Sequence, residues 1–407
     1  MTRAAAGARL AGLAQWIARK AAGAPPIDRL HGAFCRELRR RGFPLWRSSL
    51  GLEVLHPELS GPQFTWVSGR LALSEFKREG IAQSPSYVNS PTYVVDNTGR
   101  RFRRRLSRPA PDMPLLEELS VAGATDYVIY PLPFEERKRT AVISFATRQR
   151  GGFDRQDIQE LAAAVSFFSP YAERHVLRRV AIDLLDTYVG AGTGRRIFEG
   201  RIERGSIETI QAAIFLCDLR GFTKLSDGMP REEVITMLNA WFDIMTDAVE
   251  AHGGEVLKFL GDGLLAMFPV SGDPGSACDR AVDAATSAVQ GVVGLNASRR
   301  ANGSKPIRFG LAVHLGEVAY GNVGGRRRLD FTLVGPAVNH ASRLQEMTKR
   351  LRRTVLVSAE VATHSTRPLS SLGQYQLRDL ALPQQIHALP AERRRQAATL
   401  RHSRQSS

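Results

Sequence analysis

The sequence predicts an α+β protein in two parts, and three observations carry that prediction. From about residue 209 onward, strand-like apolar runs and amphipathic helices follow one another as strand, helix, strand, strand, helix, strand, which argues a sheet with helices on one face. Upstream, "FDRQDIQELAAAVSFFSPYAERHVLRRVAIDLLDTYV" keeps helical spacing over about 30 residues. Between them, "GAGTGRRIFEGRIERGS" is glycine-rich and basic, the texture of a boundary at 190–208. A chain of 407 residues has room for two such domains. The expected order is a basic helix or tail (1–25), a first domain (26–189), the linker, a second domain (209–389) and a basic tail (390–407).

In the first part, Leu30, Phe34 and Leu38 recur at helical spacing and predict an amphipathic helix from about Pro26 to Phe43. Four strand-like runs follow, "SLGLEVL", "QFTWVS", "DYVIYPL" and "TAVISFATR", bounded by Gly, Pro and Ser clusters. Asp154 is placed to cap the long helix after them, and Pro170 sits where it could kink it. A helix, several strands and a long exit helix make an α/β domain whose element order resembles small sensor domains of the GAF type. No ligand motif accompanies that order.

In the second part, "IQAAIFLCD" reads as a buried strand and "REEVITMLNAWFDIMTDAVEAHG" as an amphipathic helix ending at Gly253. "GEVLKFLGDGLLAMFPV" is two short strands about a Gly-Asp-Gly turn, where glycine supplies positive φ. A second helix runs through "SACDRAVDAATSAVQGVVGLNA", and "IRFGLAVHLGEVAYGNVG" reads as a strand pair. "LDFTLVGPAVNHASRLQEM" gives a strand, a turn and a third helix.

Composition excludes several classes. No stretch reaches the roughly 18 to 20 apolar residues that would span a bilayer. The first 27 residues lack acids, a pattern of transit peptides and surface helices alike, and a surface helix or frayed tail is expected. Cys35, Cys217 and Cys278 are too scattered for a disulfide framework or a zinc knuckle and point to a reducing, cytoplasmic setting. The formal charge of +16 suggests nucleic acid. The second domain is nearly neutral, however, and the excess sits in runs such as "RRFRRRLSR" and the C-terminal "ERRRQAATLRHSR". Such runs are usually solvated loops, no reading motif accompanies them, and no specific nucleic-acid partner is expected. A Gly-x-x-x-x-Gly-Lys-Ser/Thr phosphate loop is absent, which excludes a P-loop enzyme.

Two carboxylates stand out. Asp218 ends a buried strand just before a Gly-Phe-Thr turn, and Asp262 lies in the Gly-Asp-Gly turn. Each alone is an ordinary turn residue. If the two strand ends are neighbours, they form an oxygen donor set for a pair of hard divalent ions. Asn339 and Arg343, four residues apart, share one helix face.

"FLCDLRGFT", "EVLKFLGDG", "GLAVHLGEVAYGNVG" and "FTLVGPAVNHASR", in this order, resemble the catalytic domain of class III adenylate/guanylate cyclases. That resemblance implies a ferredoxin-like βαββαβ fold. It implies ATP as substrate, conversion to 3′,5′-cyclic AMP and pyrophosphate, and two Mg²⁺ (or Mn²⁺) ions per site. It also implies a homodimer whose sites lie between the two catalytic domains. Asp218 and Asp262 take the metal-binding positions, with the Leu219 carbonyl; Phe222 and Thr223 take the phosphate-binding turn. Asn339 and Arg343 take the ribose-orienting and transition-state positions. Lys258 and Thr332 take the base-reading ones, where an ammonium suits the adenine N1 acceptor and a carboxylate would suit guanine N1–H. Thr332 stands where many members carry aspartate. No residue clearly matches the triphosphate-binding lysine; Arg378 is the candidate. His314 reads as a packed strand histidine. A guanylate cyclase and a catalytically silent cyclase-like regulatory module are the alternatives.

Overall fold

The structure, a computed structural model, describes residues 8–53, 59–77, 80, 83–106, 112–135 and 141–390. The C-terminal basic tail therefore lies outside the described residues, apart from its first residue. The chain divides into two compact units, Met1–Leu184 and Leu185–Ser407.

The first unit opens with α1 (Leu13–Ala22) and α2 (Ile27–Arg40). In α1, Leu13, Ile17 and Ala21 form one buried stripe at four-residue spacing and join the core that α2 builds. The basic N-terminal stretch thus contributes a core helix. Strands β1 (Arg47–Leu52), β2 (Leu59–Val67) and β3 (Arg70–Lys77) follow, then α3 (Pro85–Val88), α4 (Pro91–Thr98) and β4 (Phe102–Arg105). Helix α5 (Pro114–Val121), β5 (Asp126–Pro131), β6 (Ala141–Thr147) and α6 (Arg155–Val189) complete it. The sheet is antiparallel in the order β3-β2-β1-β6-β5-β4.

One sheet face packs on α1, α2 and α6, with Phe34 stacked on Phe168 at 4.7 Å. The other packs on α4 and α5 and borders a cavity of about 500 Å³, lined among others by Ser49, Tyr127, Ser144, Leu119 and Asp96. Asp154 caps α6 as expected: its Oδ1 accepts from the Asp157 amide at 2.7 Å, and Asp157 Oδ2 accepts from the Asp154 amide at 3.0 Å. Helix α6 continues through Pro170. The basic run expected to be a solvated loop contains β4, because Arg103 reaches the fully buried Asp126 at 2.6 Å and the Phe153 carbonyl at 2.5 Å.

The second unit takes the last residues of α6 and continues with α7 (Ala191–Phe198), inside the stretch expected to be a glycine-rich linker. Thr193 of α7 hydrogen-bonds with Glu255 and with the Tyr320 hydroxyl, each at 3.2 Å. Next come β7 (Ile207–Leu219), α8 (Phe222–Ser226), α9 (Arg231–Ala251), β8 (Glu255–Leu260), β9 (Gly263–Pro269) and α10 (Pro274–Ala301). Then follow β10 (Phe309–Gly324), β11 (Leu329–Val334), α11 (Pro336–Arg350), β12 (Val355–Ser358), α12 (Ala359–His364), β13 (Ser370–Tyr375) and β14 (Gln384–Ala388). The sheet order is β13-β14-β12-β10-β7-β9-β8, with β11 paired to β10.

Alternation along β7 explains the layers. Ala213, Phe215 and Cys217 face the core shared with α9 and α10, while Ala212 and Ile214 face Ala337 and Ala341 of α11. Helices therefore cover both sheet faces, correcting the expectation of one. The expected strand pair at 309–324 is one unbroken strand. Gly316 in its middle makes no turn: a Cβ there would come within 2.5 Å of the Ala337 Cβ, so this glycine lets α11 approach the sheet. Among the described residues, no helix is long and apolar enough to cross a membrane.

Candidate active site

Strand β7 carries Asp218 to its carboxyl end and pairs there with β9, in the register Asp218↔Gly263. Asp262 precedes Gly263 in the two-residue turn between β8 and β9, whose first residue, Gly261, has φ +65°. A Cβ on Gly263 would lie 2.7 Å from the Cys217 carbonyl and 3.0 Å from Asp218 Oδ1. Glycine is thus what lets the turn close on the carboxylate. The Trp241 indole N–H donates to the Asp262 carbonyl at 3.1 Å and ties the turn to α9.

The two aspartates meet. Burial, then the charge and hydrogen bonding of Asp262, push the Asp218 carboxyl up to about 6. Among the described residues, no lysine or arginine pairs with either carboxylate. Two like-charged oxygen donors held together without a cation are a fit for hard divalent ions. Leu219, next along β7, is buried, opposite Phe309 of β10.

The chain then turns at Gly221, φ +70°, into the short helix α8, which starts at Phe222. Phe222 anchors it by packing against the domain core, and Thr223 is exposed. The first amides of a helix have no intrahelical acceptor, so Phe222 and Thr223 begin a segment suited to anionic oxygens beside the carboxylates.

Lys258 lies on β8, just past an irregularity in its pairing with β9, and Thr332 is buried on β11. The Lys258 ammonium is paired with Asp330, a residue that reading the motifs did not single out. Its signal was available: Asp330 is two residues before Thr332 on a strand and shares its face. Asn339 is exposed on α11. Arg343, one turn later, holds Asp379 at 2.8 Å and Glu346 at 3.1 Å. Arg378 is exposed and contacts Asp379 at 3.2 Å. His314 is buried on β10 with Nδ1 3.0 Å from Ser358 Oγ, and Cys217 is a buried core residue. Among the described residues, no hydrogen bond or ion pair joins the aspartates to Lys258, Thr332, Asn339 or Arg343.

Residues 206–380 match the family model of the adenylate and guanylate cyclase catalytic domain. This part of the chain is a class III cyclase catalytic domain. An adenylate cyclase of Anabaena cylindrica is 34% identical over 173 residues, 42% of this chain and 34% of its own length. Adenylate cyclase 1 of Rhizobium meliloti is 34% identical over 144 residues, 35% of this chain and 22% of its own. An uncharacterised protein of Mycobacterium tuberculosis is 34% identical over 195 residues, 47% and 35% of the two chains. The chain thus spans about a third or less of the length of these curated relatives. Among solved structures, the adenylyl cyclase CyaB from P. aeruginosa is 26% identical with a TM-score of 0.41, covering 45% of this chain and 94% of that one. The guanylyl cyclase Cya2 is 27% identical with a TM-score of 0.40, covering 44% and 92%.

Proposed function

We propose that the protein is an adenylate cyclase that converts ATP to 3′,5′-cyclic AMP and pyrophosphate, working as a homodimer. The observation that carries this reading is the meeting of Asp218 and Asp262 at the ends of paired strands, with Asp218 raised to about 6. In this reading Asp218, Asp262 and the Leu219 carbonyl hold two Mg²⁺ or Mn²⁺ ions. When bound, such ions neutralise phosphate charge and acidify a coordinated hydroxyl.

The bond formed joins the ribose 3′-oxygen to the α-phosphorus, and the bond broken links that phosphorus to the departing pyrophosphate. The chain's own groups position and stabilise. Amides at Phe222 and Thr223 receive phosphate oxygens. Asn339 orients the ribose, and Arg343 offsets charge that develops on the α-phosphate. Lys258 donates to adenine N1, and the Thr332 hydroxyl accepts from the 6-amino group. Asp330 holds the ammonium in place beside Thr332. Arg343 must exchange Asp379 for substrate, an exchange open to an ion pair whose acidic partner is two-thirds exposed. The first unit, with its cavity and its exit helix α6, is assigned a regulatory, sensor-like role.

Purified protein given ATP or GTP with Mg²⁺ or Mn²⁺, followed by chromatographic identification of product, tests the reading. Cyclic AMP as the main product is expected. Cyclic GMP in excess would transfer the assignment to a guanylate cyclase, and no cyclic nucleotide from either substrate would overturn it.

A further inference from the structure

A second group of potential metal ligands lies in the catalytic domain, apart from the aspartates. It comprises His314 of β10, His340 of α11 and Glu360 in the first turn of α12, each offering one ligand atom, all within 4.8 Å of one another. Three sequence-distant elements thus converge on one point. His314 is buried, and its Nδ1 lies 3.4 Å from Glu360 Oε2. That oxygen is itself buried, and the His314 imidazole is its close polar neighbour, so the carboxylate and the ring already face each other. The two imidazoles stack with centroids 4.0 Å apart and planes 21° from parallel.

We propose that His314, His340 and Glu360 form a binding site for a borderline first-row divalent ion of the zinc class. Two imidazoles and one carboxylate are a set such ions favour, whereas Mg²⁺ favours oxygen alone. The ion would take the place between Glu360 Oε2 and His314 Nδ1, which now face each other at 3.4 Å. Ser358 Oγ lies 3.0 Å from the same His314 Nδ1 that faces Glu360, so the hydroxyl must release that nitrogen for it to ligate. Binding requires the stacked rings to tilt apart, so that their in-plane lone pairs converge on one ion.

The consequence lies on α11. His340 follows Asn339 directly and precedes Arg343 by less than one turn, so the ion would tie the helix carrying both to the β12–α12 corner. The binding inference does not depend on which nucleotide is cyclised, or on whether any is.

The test uses the full-length protein, stripped with chelator and kept in excess Mg²⁺ so that the aspartates are occupied by a hard ion. Co²⁺ is titrated by its visible absorption and Zn²⁺ by calorimetry. The expected result is one site per chain, weakened at least about tenfold in His340→Ala and separately in Glu360→Gln, the lower end of losses seen even for outer partners. Circular dichroism of each variant guards against misfolding, and both positions are less buried than His314. No Co²⁺ or Zn²⁺ site in excess Mg²⁺ would overturn the proposal. So would unchanged affinity in both folded variants, or a site lost in Asp218→Ala but kept in His340→Ala.

Discussion

Replacing Asp218 with asparagine should stabilise the metal-free catalytic domain while abolishing cyclisation. The isosteric amide keeps the shape of the site and removes the charge that burial and Asp262 disfavour. Displacement of the carboxyl from 3.8 to about 6 corresponds to about 3 kcal/mol between protonation states. The group is only half-buried, and solvent screening brings the measurable part to about 1–2 kcal/mol. The sign follows from proton linkage. With the folded-state value above the unfolded one, the folded state holds the extra proton between them, so wild-type stability falls as pH rises from about 4 to about 6. The variant lacks that loss. Its advantage should be near zero at pH 4 and fully developed at pH 7.

The assay is thermal unfolding with chelator present, followed across that pH range. For a unit of this size, about 1–2 kcal/mol moves the midpoint by roughly 2–8 °C. Excess Mg²⁺ should then reverse the order, raising the wild-type midpoint by mass action and leaving the variant's nearly unchanged. A variant less stable than wild type at pH 7 without metal would refute the reasoning, because it would mean that Asp218 is a net structural contact. A pH-independent difference would refute it equally, since the advantage would then not come from the carboxylate's charge.

Three further outcomes are expected. Lys258→Glu should lose ATP turnover by at least about tenfold and gain some GTP turnover, since a carboxylate accepts from guanine N1–H; initial rates on both nucleotides check this, and an unaltered preference would remove Lys258 from the base pocket. A fragment beginning at Leu185 should fold and cyclise ATP at an altered rate, and an identical rate per dimer would argue against regulation by the first unit. Asp218→Ala and Arg343→Ala, each inactive alone, should recover roughly a quarter of wild-type activity when mixed at equal concentration with free exchange, because half the dimers then hold one intact site. No recovery in confirmed mixed dimers would place each site within a single chain.

The catalytic half of the chain was legible because local rules and long-range geometry agree there. The Gly-Asp-Gly turn, the apolar run ending in Asp218 and the i, i+4 pair Asn339 and Arg343 each follow from short-range chemistry. The observed register puts Asp218 beside the Gly-Asp-Gly turn, and α11 carries Asn339 and Arg343 one turn apart. Two misreadings came from glycine. The stretch 309–324 read as a strand pair, yet its Gly316 is a close helix–strand contact within one strand, and the glycine-rich stretch read as a linker holds α7. In the latter, a Cβ on Gly192 would collide with the Glu255 carboxylate, so these glycines permit packing where they suggested flexibility. The first unit was less legible. Its β4 hides in a basic run whose buried partner, Asp126, is 23 residues away from Arg103. Helices α3 and α4 carried a readable mark, serine followed by proline, and Ser84 and Ser90 do cap them.

The residues assigned to the reaction fall into two sets, and their surroundings bear on why two copies are proposed. Asp218 and Asp262 share one strand end with the start of α8. Lys258 is held by Asp330, and Arg343 by Asp379 and Glu346, each within its own set. Among the described residues, Lys258 and Arg343 are thus paired with acids of their own chain, and no lysine or arginine pairs with Asp218 or Asp262. Between Lys258 and the Asp262 turn, Phe259 and Leu260 are 53% and 47% exposed, and Val334, at the end of the strand bearing Thr332, is 46% exposed. Large apolar side chains flanking polar functional groups are what a second protein surface would cover. A twofold copy laid across them would bury this apolar surface and bring the aspartates of one chain to the lysine and arginine of the other, which is the complementation that the mixed-variant experiment reads.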